Sequence, residues 1–235
     1  SEIVNVDQLI KDKFSGVPDS YRQNLEQRVA AGRATKVQGV GQVLSTDGSS
    51  AILLEGKLNG LDVALKTYKN PLTFNGGPSI ESEWKHYLEY FQREIKRGEM
   101  MSKILGPDGM APKVFGEVDL GSGGNPTFAM EKIIGKSLEE LTSAEVRALI
   151  SDNTIRQVEA AYKKLNAAGL GGGDSPQVMI LTQDQVINGV PRRAGDAVFM
   201  DPGGLTENRS IWRSPADLVK QMNFYRDQAR NAGDV

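Results

Sequence analysis

The sequence predicts an α+β fold divided into two lobes: a five-stranded antiparallel sheet with one long helix, followed by a truncated, mostly helical lobe. Three observations carry this expectation. Between Lys36 and Tyr68, apolar runs alternate with short turn signals, of which Asn59-Gly60 is the strongest. A helical texture from Ser79 to about Leu105 is followed by two further strand-like runs. Beyond Ser143 the apolar spacing is mainly that of helices.

Element by element, residues 1–35 form an N-terminal helical extension. Ile10, Phe14, Tyr21, Leu25 and Val29 recur at helical spacing, broken at Gly16-Val17-Pro18 into a helix pair. Val37, Val40, Val43 and Leu44 mark a first strand, and Ser45–Ser50 a turn. Ala51–Leu58 and Leu61–Tyr68 are the second and third strands on either side of Asn59-Gly60. Strands joined by such tight turns run antiparallel. Asn70–Pro78 is a loop, and Ser79 can cap a helix with Glu81 and Glu83 in its first turn. Gly98 is a candidate interruption of this helix, and Gly106-Pro107-Asp108-Gly109 ends it. Lys113–Leu120 and Thr127–Ile134 complete the sheet and the first lobe, residues 36–134. In the second lobe, residues 135–235, helices are expected at Ser143–Leu149, Ile155–Ala168 and Pro215–Gln228. Short strands are expected near Val178–Leu181 and Ala197–Met200.

Composition excludes several classes of function. The 235 residues carry a net charge of −2, so no basic excess argues for nucleic acid or a membrane surface as partner. Cysteine is absent, which removes disulfides, cysteine nucleophiles and cysteine metal sites. His86 is the single histidine, which leaves no histidine zinc site and no serine–histidine–acid triad. No apolar run is long enough to span a bilayer. Ser1–Asp7 lacks the basic-then-apolar pattern of a cleavable signal peptide.

Asp62-Val63-Ala64-Leu65-Lys66 ends an apolar strand in a lysine, just after a hairpin. In period with Ala64, its side chain points beneath the first hairpin. Such a lysine is either a solvated strand end or a compact cation aimed at an anion. The turn at Gly48, Ser49 and Ser50 offers successive backbone N–H groups that can surround a phosphate, or is an ordinary hairpin turn. It is not a complete G-x-G-x-x-G. The glycines around Gly172 are not a Walker loop, because no Gly-Lys-Ser/Thr follows.

Three longer segments then stand in a recognisable order. Phe128-Ala-Met-Glu-Lys-Ile-Ile-Gly-Lys-Ser-Leu-Glu-Glu-Leu141 resembles the strand, hinge and first helix that join the lobes of protein kinases. Leu165-Asn-Ala-Ala-Gly-Leu-Gly-Gly-Gly-Asp174 resembles the helix end and catalytic loop of atypical and small-molecule kinases. Ala197-Val-Phe-Met-Asp-Pro-Gly203 resembles the metal-binding Asp-Phe-Gly loop. With Lys66 they cover roughly residues 36–205 of a shortened, atypical protein-kinase-like plan.

The resemblance implies ATP with Mg2+, or Mn2+ as the alternative. Lys66 would hold the inner phosphates beneath Gly48, Ser49 and Ser50. Met130 would be the gatekeeper, with backbone groups from Glu131 to Ile133 offered to adenine. Asp174 would orient or deprotonate the acceptor hydroxyl, and Asp201 would hold the metal. Glu99 is the first choice as carboxylate partner of Lys66, because it lies 13 residues before Pro112, a spacing similar to that of atypical kinases. Glu94 is the rival and Glu83 a third. Departures are equally specific. Gly172 replaces the histidine of the catalytic loop, and Pro202 the phenylalanine of the metal loop. Met179 stands at the position of the metal-binding asparagine, and a thioether is a poor magnesium ligand. Gln177 is the candidate substitute.

Size, motif order and the short course after Asp201 resemble the minimal kinase effectors that some Gram-negative pathogens inject into host cells, and also fit a phage or toxin-system kinase. The resemblance implies a monomeric serine/threonine-protein kinase and virulence effector. Its partner would be a protein substrate, host proteins included, with no nucleic acid and no membrane span. It would reside in the cytoplasm or be secreted into a host cell without a cleaved signal peptide. Two alternatives stand beside it: a pseudokinase that binds or scaffolds, and a small-molecule kinase or nucleotidyl transferase. Residues 182–196 read as an insertion beside the catalytic loop and a candidate recognition surface. Its Arg192-Arg193 pair could meet an acidic partner or be plain surface.

Overall fold

The computed structural model describes residues 19–45, 51–68, 81–121, 125–173 and 177–233. The fold is mixed α+β, and the chain divides into two compact units. One comprises Ser1–Ile95 with Val114–Lys132, the other Lys96–Lys113 with Ile133–Val235.

The first unit contains α1 (Asp19–Ala30), β1 (Thr35–Lys36), β2 (Gly39–Ser45), β3 (Ala51–Leu58), β4 (Leu61–Tyr68), the first part of α2 (Glu81–Leu105), β5 (Val114–Asp119) and β6 (Thr127–Glu131). The six strands form one sheet in the order β1-β5-β6-β4-β3-β2. Strands β2 to β6 pair antiparallel, and β1 adds a short parallel edge in which Thr35 faces Val118. Asn59 and Gly60 both have positive φ, 50° and 79°, and close the β3–β4 hairpin with Leu58 opposite Leu61. This is the primed-turn geometry that suits the natural twist of a hairpin. Ile52, Leu54, Val63 and Leu65 form the apolar centre with Val118 and Ala129. Each of these valine, leucine and isoleucine side chains contributes about 1.5–3 kcal/mol on burial.

Helix α1 docks through Tyr21, Leu25 and Val29, which cluster with Ala34 and Leu88. Its polar anchor is Glu117 on β5. That carboxylate accepts from the Tyr21 hydroxyl at 3.0 Å and the Gln92 amide at 3.3 Å, and pairs with Arg28. Burial first, and the Glu117 charge second, push the Tyr21 hydroxyl well above its usual pKa. The first helix of the expected N-terminal pair lies outside the described residues, as does the Ser79 cap.

Helix α2 runs 25 residues without a break. Gly98 does not interrupt it: a single glycine costs a helix only about 1 kcal/mol, and Gly98 falls on the buried stripe formed with Phe91, Glu94, Ile95, Met101 and Leu105. The stop comes where predicted, in a tight turn at Gly106–Asp108 closed by Gly109 at φ 67°.

The second unit continues with β7 (Gly135–Ser137), α3 (Ser143–Leu149), α4 (Asp152–Ala167), β8 (Gly171–Gly172), β9 (Val178–Leu181), β10 (Gln185–Ile187), β11 (Val190–Arg192), β12 (Ala197–Phe199), β13 (Leu205–Thr206) and α5 (Pro215–Asn231). Capping boxes start α3 at Thr142 with Glu145, and α4 at Ser151 with Thr154. Ser214 caps α5, with Pro215 in its first turn. Val158, Tyr162 and Leu165 of α4 share one core with Phe199 of β12 and with Leu218 and Met222 of α5. Among the described residues, no helix is long and apolar enough to cross a membrane.

The expected 182–196 insertion is a folded hairpin. Strands β10 and β11 pair around Asn188 and Gly189, both at positive φ. Arg192 is not part of an exposed basic pair. Its side chain is 6% exposed and ion-pairs with Asp196 at 3.1 Å, while Arg193 is exposed. Strand alternation turns neighbouring side chains to opposite faces, and Arg192 takes the inward one.

Candidate functional site

In the first unit, β4 lies between β3 and β6, with Lys66 opposite both Leu53 and Phe128. Lys66 is therefore no solvated strand end: its side chain is 16% exposed, and its Nζ lies 2.5 Å from Glu94 Oε1. Glu94 itself is 3% exposed, and its second oxygen accepts from the Tyr68 hydroxyl. Tyr68 is fully buried. Its ring meets Tyr87, Tyr90 and Phe91 edge-on, with centroids 6.2, 6.3 and 5.3 Å away. The Lys66 ammonium also stands 5.7 Å from the centre of the Tyr68 ring.

The choice of Glu99 as partner of Lys66 is corrected to Glu94. The spacing from Pro112 ignored helical phase. Five residues turn the helix by about 140° from Glu94, and Glu99 emerges on an exposed face. The side chain of Glu83 lies outside those described. Sequence reasoning missed Tyr68, although its period-two relation to Lys66 put both on one face of the strand.

In the second unit, strand pairing organises the segments around the two predicted aspartates. Strand β8 pairs with β13, placing Gly172 opposite Leu205. Strand β9 pairs with β12, placing Val178 opposite Phe199. The described residues that flank the β8–β9 and β12–β13 segments are thus paired, Gly172 with Leu205 and Val178 with Phe199. Asp174 lies in the first segment but outside the described residues, as do Gly48, Ser49 and Ser50. Asp201 lies in the second and is exposed.

The surroundings hold these anchors. The Gln177 backbone N–H donates to the Tyr162 hydroxyl at 3.2 Å, and the Tyr162 ring meets Phe199 edge-on at 5.0 Å. Burial pushes the Tyr162 hydroxyl pKa up, against the lowering effect of that hydrogen bond. Arg213 N–H donates to the Gly172 carbonyl at 2.7 Å, and Trp212 Nε1 to the Thr206 carbonyl at 2.7 Å. A Cβ on Gly171 would come within 2.3 Å of the Trp212 ring, which gives the glycine run a packing reason.

A cleft of about 200 Å³ opens beside Asp201. Its lining includes Ser137, Glu139, Gln177, Met179, Met200 and, from α5, Tyr225. Tyr225 arrives from the last helix and carries no local signal in its sequence neighbourhood. Gln177 also reaches the Asp201 segment, since a Cβ on Gly204 would stand 3.0 Å from Gln177 Cγ. The oxygen donors Asp201 and Gln177 on one cleft suit a magnesium ion, whereas the thioether of Met179 does not. Among the described residues, no group of three or more His, Cys, Asp and Glu converges as a ready-made metal cage. Magnesium uses few protein ligands when phosphates complete its shell.

The predicted adenine segment starts inside the sheet. Met130 is buried opposite Ala64, and Glu131 closes β6 opposite Val63. Lys132 pairs with Glu55. The Ile133 side chain packs with Leu181, Ile187 and Val198. Ile134 is strapped at both backbone groups: its N–H donates to Gln185 Oε1 at 2.9 Å, and its carbonyl accepts from Thr182 N–H at 3.2 Å. No protein-family model matches the chain, and no curated protein matches it.

Proposed function

We propose that the protein transfers the terminal phosphoryl group of ATP to a serine or threonine of a protein substrate, on a shortened two-lobed, protein-kinase-like fold. The observation that carries this reading is the double pairing of β8 with β13 and β9 with β12, in which the strands that flank Asp174 in sequence pair with those that flank Asp201. Phosphoryl transfer asks a protein mainly for alignment and charge neutralisation. Lys66, held by Glu94, supplies a fixed cation for the inner phosphates. Asp201 and Gln177 would hold magnesium, which when bound neutralises charge on the phosphates. Asp174, directly after Gly173, would orient the acceptor hydroxyl and take its proton.

The test is incorporation of terminal-phosphate label from ATP into protein, in a eukaryotic lysate with Mg2+. Asp174→Ala abolishes transfer while nucleotide binding persists. Asp201→Asn removes the magnesium dependence of nucleotide binding more than it weakens metal-free binding. Equal label with the parent and with Asp174→Ala identifies a contaminating kinase and defeats the reading. A second reading, a pseudokinase, is favoured by Met179 on the cleft beside Asp201. Magnesium-dependent ATP binding without transfer to any substrate would select it.

A further inference from the structure

Glu94 is a buried carboxylate with two different donors. Lys66 takes Oε1, and the Tyr68 hydroxyl takes Oε2. A carboxylate held at one oxygen can still swing about its terminal torsion, whereas one held at both has a fixed plane. Tyr68 is itself immobilised from three sides. Its ring is enclosed by Tyr87, Tyr90, Phe91 and Phe128. Its N–H donates to the Pro126 carbonyl at 2.9 Å, and its carbonyl accepts from Asn125 Nδ2 at 2.7 Å. Tyr68 and Lys66 share a face of β4, so the strand that carries the cation also carries the group that orients its counter-ion.

We propose that Tyr68 is a positioning residue: its hydroxyl fixes the Glu94 carboxylate, and through it the Lys66 ammonium. The catalytic consequence rests on the phosphoryl-transfer reading; the link from Tyr68 to Glu94 does not. Lys66 and Tyr68 from β4 are the titratable groups seen to donate to Glu94, while Tyr87 and Tyr90 of its own helix pack on the Tyr68 ring.

The test compares the parent with Tyr68→Phe, which keeps the ring and removes the donor, and with 3-fluorotyrosine at position 68, a stronger donor. Glu94 is followed by NMR of labelled glutamate carboxyl carbons. A hydrogen bond to the charged form favours that form. Tyr68→Phe therefore moves Glu94 protonation to higher pH by about one unit, and the fluorinated residue moves it lower. The acid limb of kcat for phosphoryl transfer moves in the same two directions. Coincident Glu94 titrations in the three proteins overturn the proposal. If Tyr68→Phe does not fold, the fluorinated protein alone decides, by the same criterion. A parent protein that transfers no phosphoryl group, yet shows the shifted Glu94 titrations, loses the functional reading and keeps the Tyr68–Glu94 coupling.

Discussion

Replacing Arg192 by Ala asks whether the 185–192 hairpin belongs to the fold or waits for a partner. The side chain is 6% exposed. It donates to Asp196 Oδ2 at 3.1 Å, the Asp108 carbonyl at 3.0 Å, Gln157 Oε1 at 3.1 Å and the Ala197 carbonyl at 3.4 Å. Deletion does not orphan every acceptor. Asp196 keeps the Gln157 amide and the Arg193 N–H, and Gln157 Oε1 keeps the Ala197 N–H. Asp196 is also 18% exposed, so water tempers the loss. The expected destabilisation is therefore about 3 kcal/mol, at the low end for removing one partner of a buried pair. For a chain of this size that lowers Tm by roughly 6–12 °C. Burial raises the pKa of Asp196, but the Arg193 N–H, Gln157 and Arg192 outweigh it and hold the carboxyl below its ordinary value of 3.8. A folded-state value below the unfolded one means that the stabilisation is present above the unfolded pKa and is lost as pH falls through the folded pKa. The gap between parent and Arg192→Ala, read by urea melts, is thus full at pH 7 and narrows below about pH 4. A loss under about 0.5 kcal/mol at pH 7, the scale of a surface substitution, refutes the structural role, as does a gap that ignores pH.

Two further outcomes follow from the site. If the protein transfers phosphoryl groups as proposed, Glu94→Gln lowers kcat/KM by about tenfold or more, equivalent to about 1.4 kcal/mol of transition-state stabilisation, while Glu99→Gln leaves it near the parent value; equal effects would reject Glu94 as the partner of Lys66. Gly171→Ala forces a Cβ into the Trp212 ring and destabilises by about 1–3 kcal/mol, measured by thermal melts; an unchanged Tm would show that the ring moves aside freely.

The legible parts of the fold are those with local causes. Asn59-Gly60 set a hairpin and its register at once, because only a primed turn fits that dipeptide between two apolar runs. Asn188-Gly189 carries the same dipeptide, but its flanks give no strand pattern. Its strands are three residues each and one contains Pro191, so period-two alternation had no length over which to appear. Glu94 shares the buried helical stripe of Phe91, Ile95 and Gly98, a phase that a residue count back from Pro112 does not capture. Strands β8 and β13 were beyond reach. A two-residue pairing between a glycine run and Leu205-Thr206 leaves no periodicity in either partner.

The disputed metal ligand turns on the same contrast between counting and register. Counting five residues from Asp174 lands on Met179, and a thioether there weakens the case for chemistry. Pairing along β9 and β12 gives a different view. The Met179 backbone is held mid-sheet, opposite Val198 on one side and Ser137 on the other, while its side chain lines the cleft. Gln177 precedes the strand and runs against Gly204, in the same segment as Asp201. Both side chains line the cleft with Asp201, but Gln177 carries an amide oxygen, the ligand type a hard cation takes, and Met179 only a thioether. This supports Gln177 over Met179 as the second donor. On the phosphoryl-transfer reading, an amide two residues earlier makes the missing asparagine a weaker objection to catalysis than the linear sequence suggests.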